Sequence, residues 1–177
     1  LTGFNRCKGW FFSCQTEVKP DVMVFGKGLG NGYPISGVAC TNSLSRHVNN
    51  ALPGSTFAGN SLACAAACAV IDYKKEQDIP AKTVQLETLF CEYFSQSRFE
   101  AYDVKLDGTG GLLSLSYNAP SFCNMQDIYL DILKAGVMTS HTQKHLRMRP
   151  PLTIPPHEFE RGLGIIGQCI ERHFSKL

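Results

Sequence analysis

The chain has 177 residues, 44% of them hydrophobic and 18% charged, with a formal net charge of +2. That is a globular composition, long enough for one core or two small ones, and it excludes a disordered chain. A charge so small and dispersed argues against nucleic acid, and no apolar run approaches membrane-spanning length.

In chain order, Thr2 to Cys14 reads as a loop with a short hydrophobic segment at Trp10, Phe11 and Phe12. Val22 to Phe25 is an apolar, β-branched run of strand length, expected to be a buried strand of a parallel sheet. Lys27 follows between Gly26 and Gly28, then Gly30, Gly32 and Tyr33-Pro34. A lysine at the end of a buried strand sits where α/β folds place their chemistry. Removed from water, its amine is pushed toward the neutral, nucleophilic form. For a lone Gly-Lys-Gly, a glycine turn with a solvated lysine is the better reading. Ile35 to Ala39 is expected as a neighbouring strand, and Asn42 to Asn50 as a polar stretch with a short helix. Pro53-Gly54 punctuates the chain. Ser61 to Glu76 is a helix capped by Asn60 or Ser61, with a small face of Ala63, Ala66, Ala67 and Val70. Lys82 to Gln96 is a second helix, with Leu86, Leu89, Phe90, Tyr93 and Phe94 as one buried stripe.

Phe99 to Asp107 reads as a crossing into a second, smaller domain, and Gly108 to Gly111 as a turn. Leu113, Leu115 and Tyr117 alternate with Ser114 and Ser116, a half-buried strand. Asn124 caps a helix that runs to Ala135 and stops at Gly136. Val137 to Thr139 and His145 to Met148 are expected strands. Pro155-Pro156 opens a last helix whose apolar stripe is Phe159, Leu163, Ile166, Ile170 and Phe174.

Eight cysteines are present, with no Cys-x-x-Cys pair; Cys64 and Cys68 lie one helical turn apart. Buried free thiols in a reducing compartment, cytoplasm or mitochondrial matrix, are the expectation. No targeting signal is read in this stretch. The five histidines make no metal-ligand spacing, so no metal is expected.

Two segments carry a resemblance. Pro20-Asp21, four residues, then Gly26-Lys27-Gly28-Leu29-Gly30-Asn31-Gly32-Tyr33-Pro34 is similar to the cofactor-lysine segment of the class III (omega-amino acid) aminotransferases. Gly54-Ser55-Thr56-Phe57, Gly59-Asn60 and Leu62-Ala63-Cys64 resemble that family's next motif, in the right order. The resemblance implies an α/β protein of fold type I that uses pyridoxal phosphate (PLP). Residues 1–98 would be the C-terminal part of the large domain with its linking helix, and residues 99–177 the small α+β domain. It implies that Lys27 holds PLP as a Schiff base, serves as proton shuttle, and is the catalytic residue. It makes Thr56, with Ser55, a cradle for the PLP phosphate of the other subunit of a dimer. From the residues alone, an ordinary helix N-cap weighs equally for Ser55 and Thr56. The pattern Leu-Arg, two residues, Pro-Pro-Leu selects Arg147 rather than Arg149 as the substrate-carboxylate arginine.

The chain also departs from the family. Asn5 stands where the family has glycine, a change that left-handed geometry tolerates. Val104-Lys105-Leu106-Asp107-Gly108 replaces Val-Arg-Gly-x-Gly, so no role passes to that arginine. The aspartate expected to pair with the pyridine nitrogen would precede Leu1. The expectation is therefore the C-terminal half of an enzyme, inactive alone, that moves an amino group from an omega-amino acid to a 2-oxo acid. Its partners would be those substrates and either a homodimer mate or a complementing N-terminal half, without nucleic acid or membrane. A racemase or mutase of the same fold, or a non-catalytic relative that only binds a partner, are the alternatives.

Overall fold

The computed structural model describes residues 4–48, 54–117 and 124–174. Thr2, Gly3, Asn49, Asn50 and Pro53, on which parts of the sequence reading fall, lie outside them. The chain divides into two compact units, Leu1–Pro80 and Ala81–Leu177.

The first unit opens with aromatic residues. Phe4 lies 5.5 Å from Phe11 between ring centroids, and Phe11 lies 6.2 Å from Phe25. Asn5 adopts φ +56°, as its ability to enter the left-handed region allows, and donates its backbone N–H to the Trp10 carbonyl at 2.9 Å. Strand β1 (Val22–Phe25) pairs with β2 (Gly37–Cys40), Val22 opposite Cys40 and Phe25 opposite Gly37. The pairing is antiparallel, which corrects the expected parallel strand. Residues 26–36 reverse the chain, whereas a parallel neighbour needs a crossover of about a dozen residues or more. Burial is corrected too: Val22 and Val24 are 51% and 49% exposed, and Val38 66%. Apolar, β-branched residues fix strand conformation, but neither direction nor cover.

The polar stretch after β2 holds one helical turn, α1 (Asn42–Ser45). Helix α2 (Ser61–Glu76) has the predicted bounds. Asn60 is its cap, its Oδ1 accepting from Ala63 N–H at 3.1 Å. Ala63 and Ala67 are buried and Ala66 and Val70 half-buried, so the predicted small face is the packed one. Ala67 joins Phe4 and Leu29 in the unit's core, with Trp10, Phe11, Phe25, Ile35 and Ile71 around them.

Helix α3 (Ile79–Phe94) begins three residues before the predicted Lys82, because Pro80 fits a first turn that lacks intrahelical N–H partners. Its stripe of Leu86, Phe90 and Phe94 belongs to the core of the second unit. The sequence reading instead attaches this helix to the large domain, through residue 98. Strands β3 (Lys105–Thr109) and β4 (Leu112–Ser116) form a hairpin. Its turn is narrower than Gly108–Gly111, because Gly108 and Thr109 pair with Leu113 and Leu112. Gly108 has φ +116°, and a Cβ there would overlap the Leu112 carbonyl oxygen.

Helix α4 (Met125–Lys134) is capped by Asn124, whose Oδ1 accepts from Asp127 N–H at 2.8 Å. It ends at Gly136 with φ +92°. The predicted strand at Val137–Thr139 is displaced to β5 (Ser140–His141). Val137 N–H is held by the Ile132 carbonyl at 3.1 Å, so that segment still terminates the helix and cannot join a ladder. Strand β6 (His145–Met148) falls where predicted. The sheet order is β3-β4-β6-β5, antiparallel throughout. Leu113, Leu115, Leu146 and Met148 face the core, with Ile128 and Ile132 of α4. Helix α5 (Pro156–Phe174) adds the complete predicted stripe from Phe159 to Phe174. His173 Nε2 lies 2.8 Å from Asp131 Oδ2, joining α5 to α4.

Candidate active site

β1 ends at Phe25, and the chain turns at once. Gly26 is buried against Ile35 and Ser36: a Cβ there would come within 3.0 Å of the Ser36 Cβ and 3.1 Å of the Ile35 carbonyl oxygen. Lys27 to Leu29 form a 3-10 turn closed by Leu29 N–H on the Gly26 carbonyl at 3.1 Å. A second turn follows, Tyr33 N–H on the Gly30 carbonyl at 3.0 Å. Leu29 is 6% exposed and packs with Phe4 and Ala67, which pins the turn to α2.

Lys27 itself takes φ +53°, a left-handed conformation that costs a non-glycine residue of order 1–3 kcal/mol. Held there, its side chain stands exposed, and among the described residues no ion pair or hydrogen bond engages it. The expected desolvation is therefore corrected. The flanking glycines carry no side chains to wall the amine in, and the bulky Leu29 turns into the core instead. Lys27 is an unpaired amine on a backbone fixed from below.

Ser55 and Thr56 share a turn ahead of α2. Ala58 N–H donates to the Ser55 carbonyl at 2.9 Å, and Phe57 N–H to Ser55 Oγ at 3.3 Å. Asn60, not either of these residues, caps the helix. The N-cap reading of Ser55 and Thr56 is thereby removed. Both are exposed, and the Thr56 hydroxyl has no protein partner among the described residues. An amine suits an aldehyde, and two exposed hydroxyls suit a phosphate. The residues present fit PLP.

Arg147 lies in the second unit, in the middle of β6. Alternation puts Leu146 and Met148 in the core and Arg147 on the opposite face, exposed. Its cross-strand partners are Ser114 of β4 and Ser140 of β5. Register puts both serines directly opposite Arg147, and the Ser114 hydroxyl lies 3.5 Å from His145 Nδ1. Sequence reasoning missed them as neighbours of Arg147: the Leu113–Leu115 alternation shows which face Ser114 takes, but only the register puts it opposite Arg147. Arg149, two residues on, is exposed beyond the strand.

Lys74 of α2 is a second lysine with an unusual setting. Its Nζ lies 4.4 Å above the Phe4 ring centroid. Burial, and then the charge of Arg6, pushes it down to about 8. Nothing in its sequence neighbourhood signals this, since Phe4 and Arg6 arrive only through folding. Among the described residues, no group of three or more His, Cys, Asp or Glu is placed to hold a metal, and the seven described cysteines are free. The expected burial of the thiols is corrected: Cys7 and Cys169 are buried, but Cys14, Cys40, Cys64 and Cys68 are exposed, because small thiols on strand and helix faces are covered only where another element packs on them.

Comparison with known proteins covers nearly the whole chain. The family model "Aminotransferase class-III" matches residues 1–170. An acetylornithine aminotransferase of Listeria innocua is 33% identical over 178 residues, covering 97% of this chain and 44% of that protein. An ornithine aminotransferase of Oceanobacillus iheyensis is 31% identical over 172 residues, covering 96% and 42%. A solved taurine:2-oxoglutarate aminotransferase from Bifidobacterium kashiwanohense, in complex with PLP and glutamate, matches with a TM-score of 0.83 at 26% identity, covering 96% of this chain and 42% of that one. The chain thus spans less than half the length of the relatives it matches.

Proposed function

This chain belongs to the class-III aminotransferase family, and from that premise we propose that it supplies the lysine side of a PLP-dependent transamination site. The amino donor is an omega-amino acid and the acceptor a 2-oxo acid, with two half-reactions in ping-pong order at one site. The observation that carries this reading is Lys27: an unpaired amine in a left-handed turn at the end of a strand, on a backbone held by Gly26 and Leu29.

PLP, when bound, supplies the electron sink. The chain's own residues do the rest. Lys27 Nζ would hold the cofactor through its aldehyde group, and the same amine, when released, would serve to take or give a proton at the substrate Cα. Thr56 and Ser55 offer hydroxyls to a phosphate, in the proposed dimer that of the other subunit. Arg147 receives a substrate carboxylate with two parallel N–H donors, and Ser114 and Ser140 stand beside it. No residue of the 177 is assigned to the pyridine nitrogen or to stacking on the ring. The reading therefore includes further residues from a longer polypeptide or a second chain, and a mass-verified 177-residue chain alone should show no turnover with PLP, an omega-amino acid and 2-oxoglutarate. The functional boundary after residue 98 is part of the proposal, although α3 packs with the second unit.

The test is Lys27→Ala in the complete or complemented enzyme. Transamination and the borohydride-reducible link to PLP should vanish together. Continued covalent labelling on reduction would assign the anchor to another lysine.

A further inference from the structure

The sheet of the second unit carries charges of both signs on the face that turns away from the core. Strand register lines up Asp107 of β3, Ser114 of β4, Arg147 of β6 and Ser140 of β5 in one row. The chain neighbours Leu106, Leu113, Leu115, Leu146 and Met148 pack on the core, so Asp107, Ser114 and Arg147 share the opposite face. Asp107 and Arg147 are exposed. Two interstrand steps set their backbones about 9–10 Å apart. Among the described residues neither is in an ion pair; Lys105, on the same face as Asp107, lies 4.0 Å from Asp103 instead. Gly108 N–H donates to Asp107 Oδ1 at 2.7 Å, which orients the carboxylate. The Ser114 hydroxyl, between the two charges, lies 3.5 Å from His145 Nδ1. An anion and a cation thus stand on one face with a single strand between them.

We propose that Asp107 is a specificity-determining residue, receiving the free α-ammonium group of an amino donor whose α-carboxylate lies on Arg147. The inference rests on the transamination reading. It narrows the donor to a diamino acid that keeps a zwitterionic α-amino acid head group while its distal amine is transferred. Arg147 by itself cannot make that distinction, because every carboxylate-bearing donor offers it the same group. Ammonium and carboxylate share one carbon in such a head group, so it presents both charges at once to a facing anion and cation. This strand is also where the chain leaves its family's pattern, Val104-Lys105-Leu106-Asp107-Gly108 standing for Val-Arg-Gly-x-Gly. The competing role for Asp107 is a solvated carboxylate on a polar sheet face. The two roles differ in what removal of the charge alone does to the choice of donor.

The test is Asp107→Asn in the complete or complemented enzyme, which keeps an acceptor for Gly108 N–H and removes the charge. Values of kcat/KM are measured with ornithine, with acetylornithine, whose α-amine is acylated, and with 5-aminopentanoate, which lacks it. Ornithine should lose roughly 10–100-fold, the size of a charged hydrogen bond, and the other two donors less than about threefold. Arg147→Ala, by contrast, should weaken all three. An equal loss for all three donors on Asp107→Asn would make Asp107 structural. Unchanged ornithine kinetics overturn the proposal, as does a wild-type enzyme that prefers acetylornithine. Calorimetric binding of ornithine and 5-aminopentanoate to both proteins runs alongside. A wild-type enzyme with no turnover refutes the transamination reading, and the binding data still judge Asp107. Ornithine held by the wild type no more tightly than 5-aminopentanoate, or held equally by both proteins, overturns its assignment.

Discussion

The two units of this chain solve different problems. The second closes a core on itself: three helices lay their stripes against one face of a four-stranded sheet, and Leu115, Ile128, Ile132, Leu146 and Ile170 are fully buried. Among the described residues, the first has only Phe4, Leu29 and Ala67 as the buried members of its hydrophobic cluster, and it exposes Val22, Val24, Val38 and Phe57. Yet the first carries Lys27, Ser55 and Thr56. Stability and the proposed chemistry are thus concentrated in different places, and substitutions should separate them.

The largest separation is expected from truncating the core. Phe90→Ala removes a wholly buried ring and should cost about 3–5 kcal/mol. Val24→Ala, half-exposed on β1, should change stability by no more than about 0.5 kcal/mol. Urea denaturation followed by circular dichroism checks both, and equal losses would break the contrast between the units.

Arg147 tests whether the well-packed unit also takes part in chemistry. In the complete or complemented enzyme, Arg147→Ala should weaken carboxylate-bearing substrates by about 2–5 kcal/mol in transition-state terms. PLP retention should hardly change, and Arg149→Ala should have a much smaller effect. Steady-state kinetics with carboxylate-bearing and plain amine donors read the difference. An equal loss for plain amines would make Arg147 structural.

The helix caps offer a matched pair. Asn60→Ala in the first unit and Asn124→Ala in the second each remove one side-chain acceptor, and each should cost about 1 kcal/mol. Amide exchange resolved by residue should place the first loss in the opening turn of α2 and the second in that of α4. A loss spread over both helices would show that the units unfold together.

The smallest effects are in pH dependence, and they run in opposite windows. Lys74, pushed down to about 8 by burial and then by Arg6, binds its proton less tightly in the folded state than at its unfolded value near ~10.4. Between those values the unfolded chain holds more protons, so first-unit stability should rise with pH. Trp10, the sole tryptophan and a neighbour of the Phe4 cluster, reports it by fluorescence, and Lys74→Met should remove the rise. In the second unit, the hydrogen bond from His173 holds Asp131 below the ordinary carboxylate range. That contribution is present above the unfolded value and is lost as pH falls through the folded one. Asp131→Asn should flatten the acid limb for α4 and α5. A wild-type Trp10 transition that stays flat through the alkaline window would contradict the assignment for Lys74.

What the sequence determined by itself is local. The bounds of α2, the caps at Asn60 and Asn124, the stop at Gly136, strand β6 and the five-residue stripe of α5 are all read from spacing and side-chain chemistry within a few residues. So are the motifs around Lys27 and Thr56, since a turn's glycines and hydroxyls are neighbours along the chain. The tertiary structure decided everything that requires two distant segments to meet. Val22 to Phe25 could announce a strand but not its antiparallel partner, because strand direction is set by where the chain returns. Gly26 and Gly28 could mark a turn but not the exposure of the lysine between them, because cover comes from other residues or is not supplied. Ser114 and Ser140 became neighbours of Arg147, and Phe4 and Arg6 of Lys74, only through register and packing. The sequence encodes those contacts collectively, and no single stretch displays them.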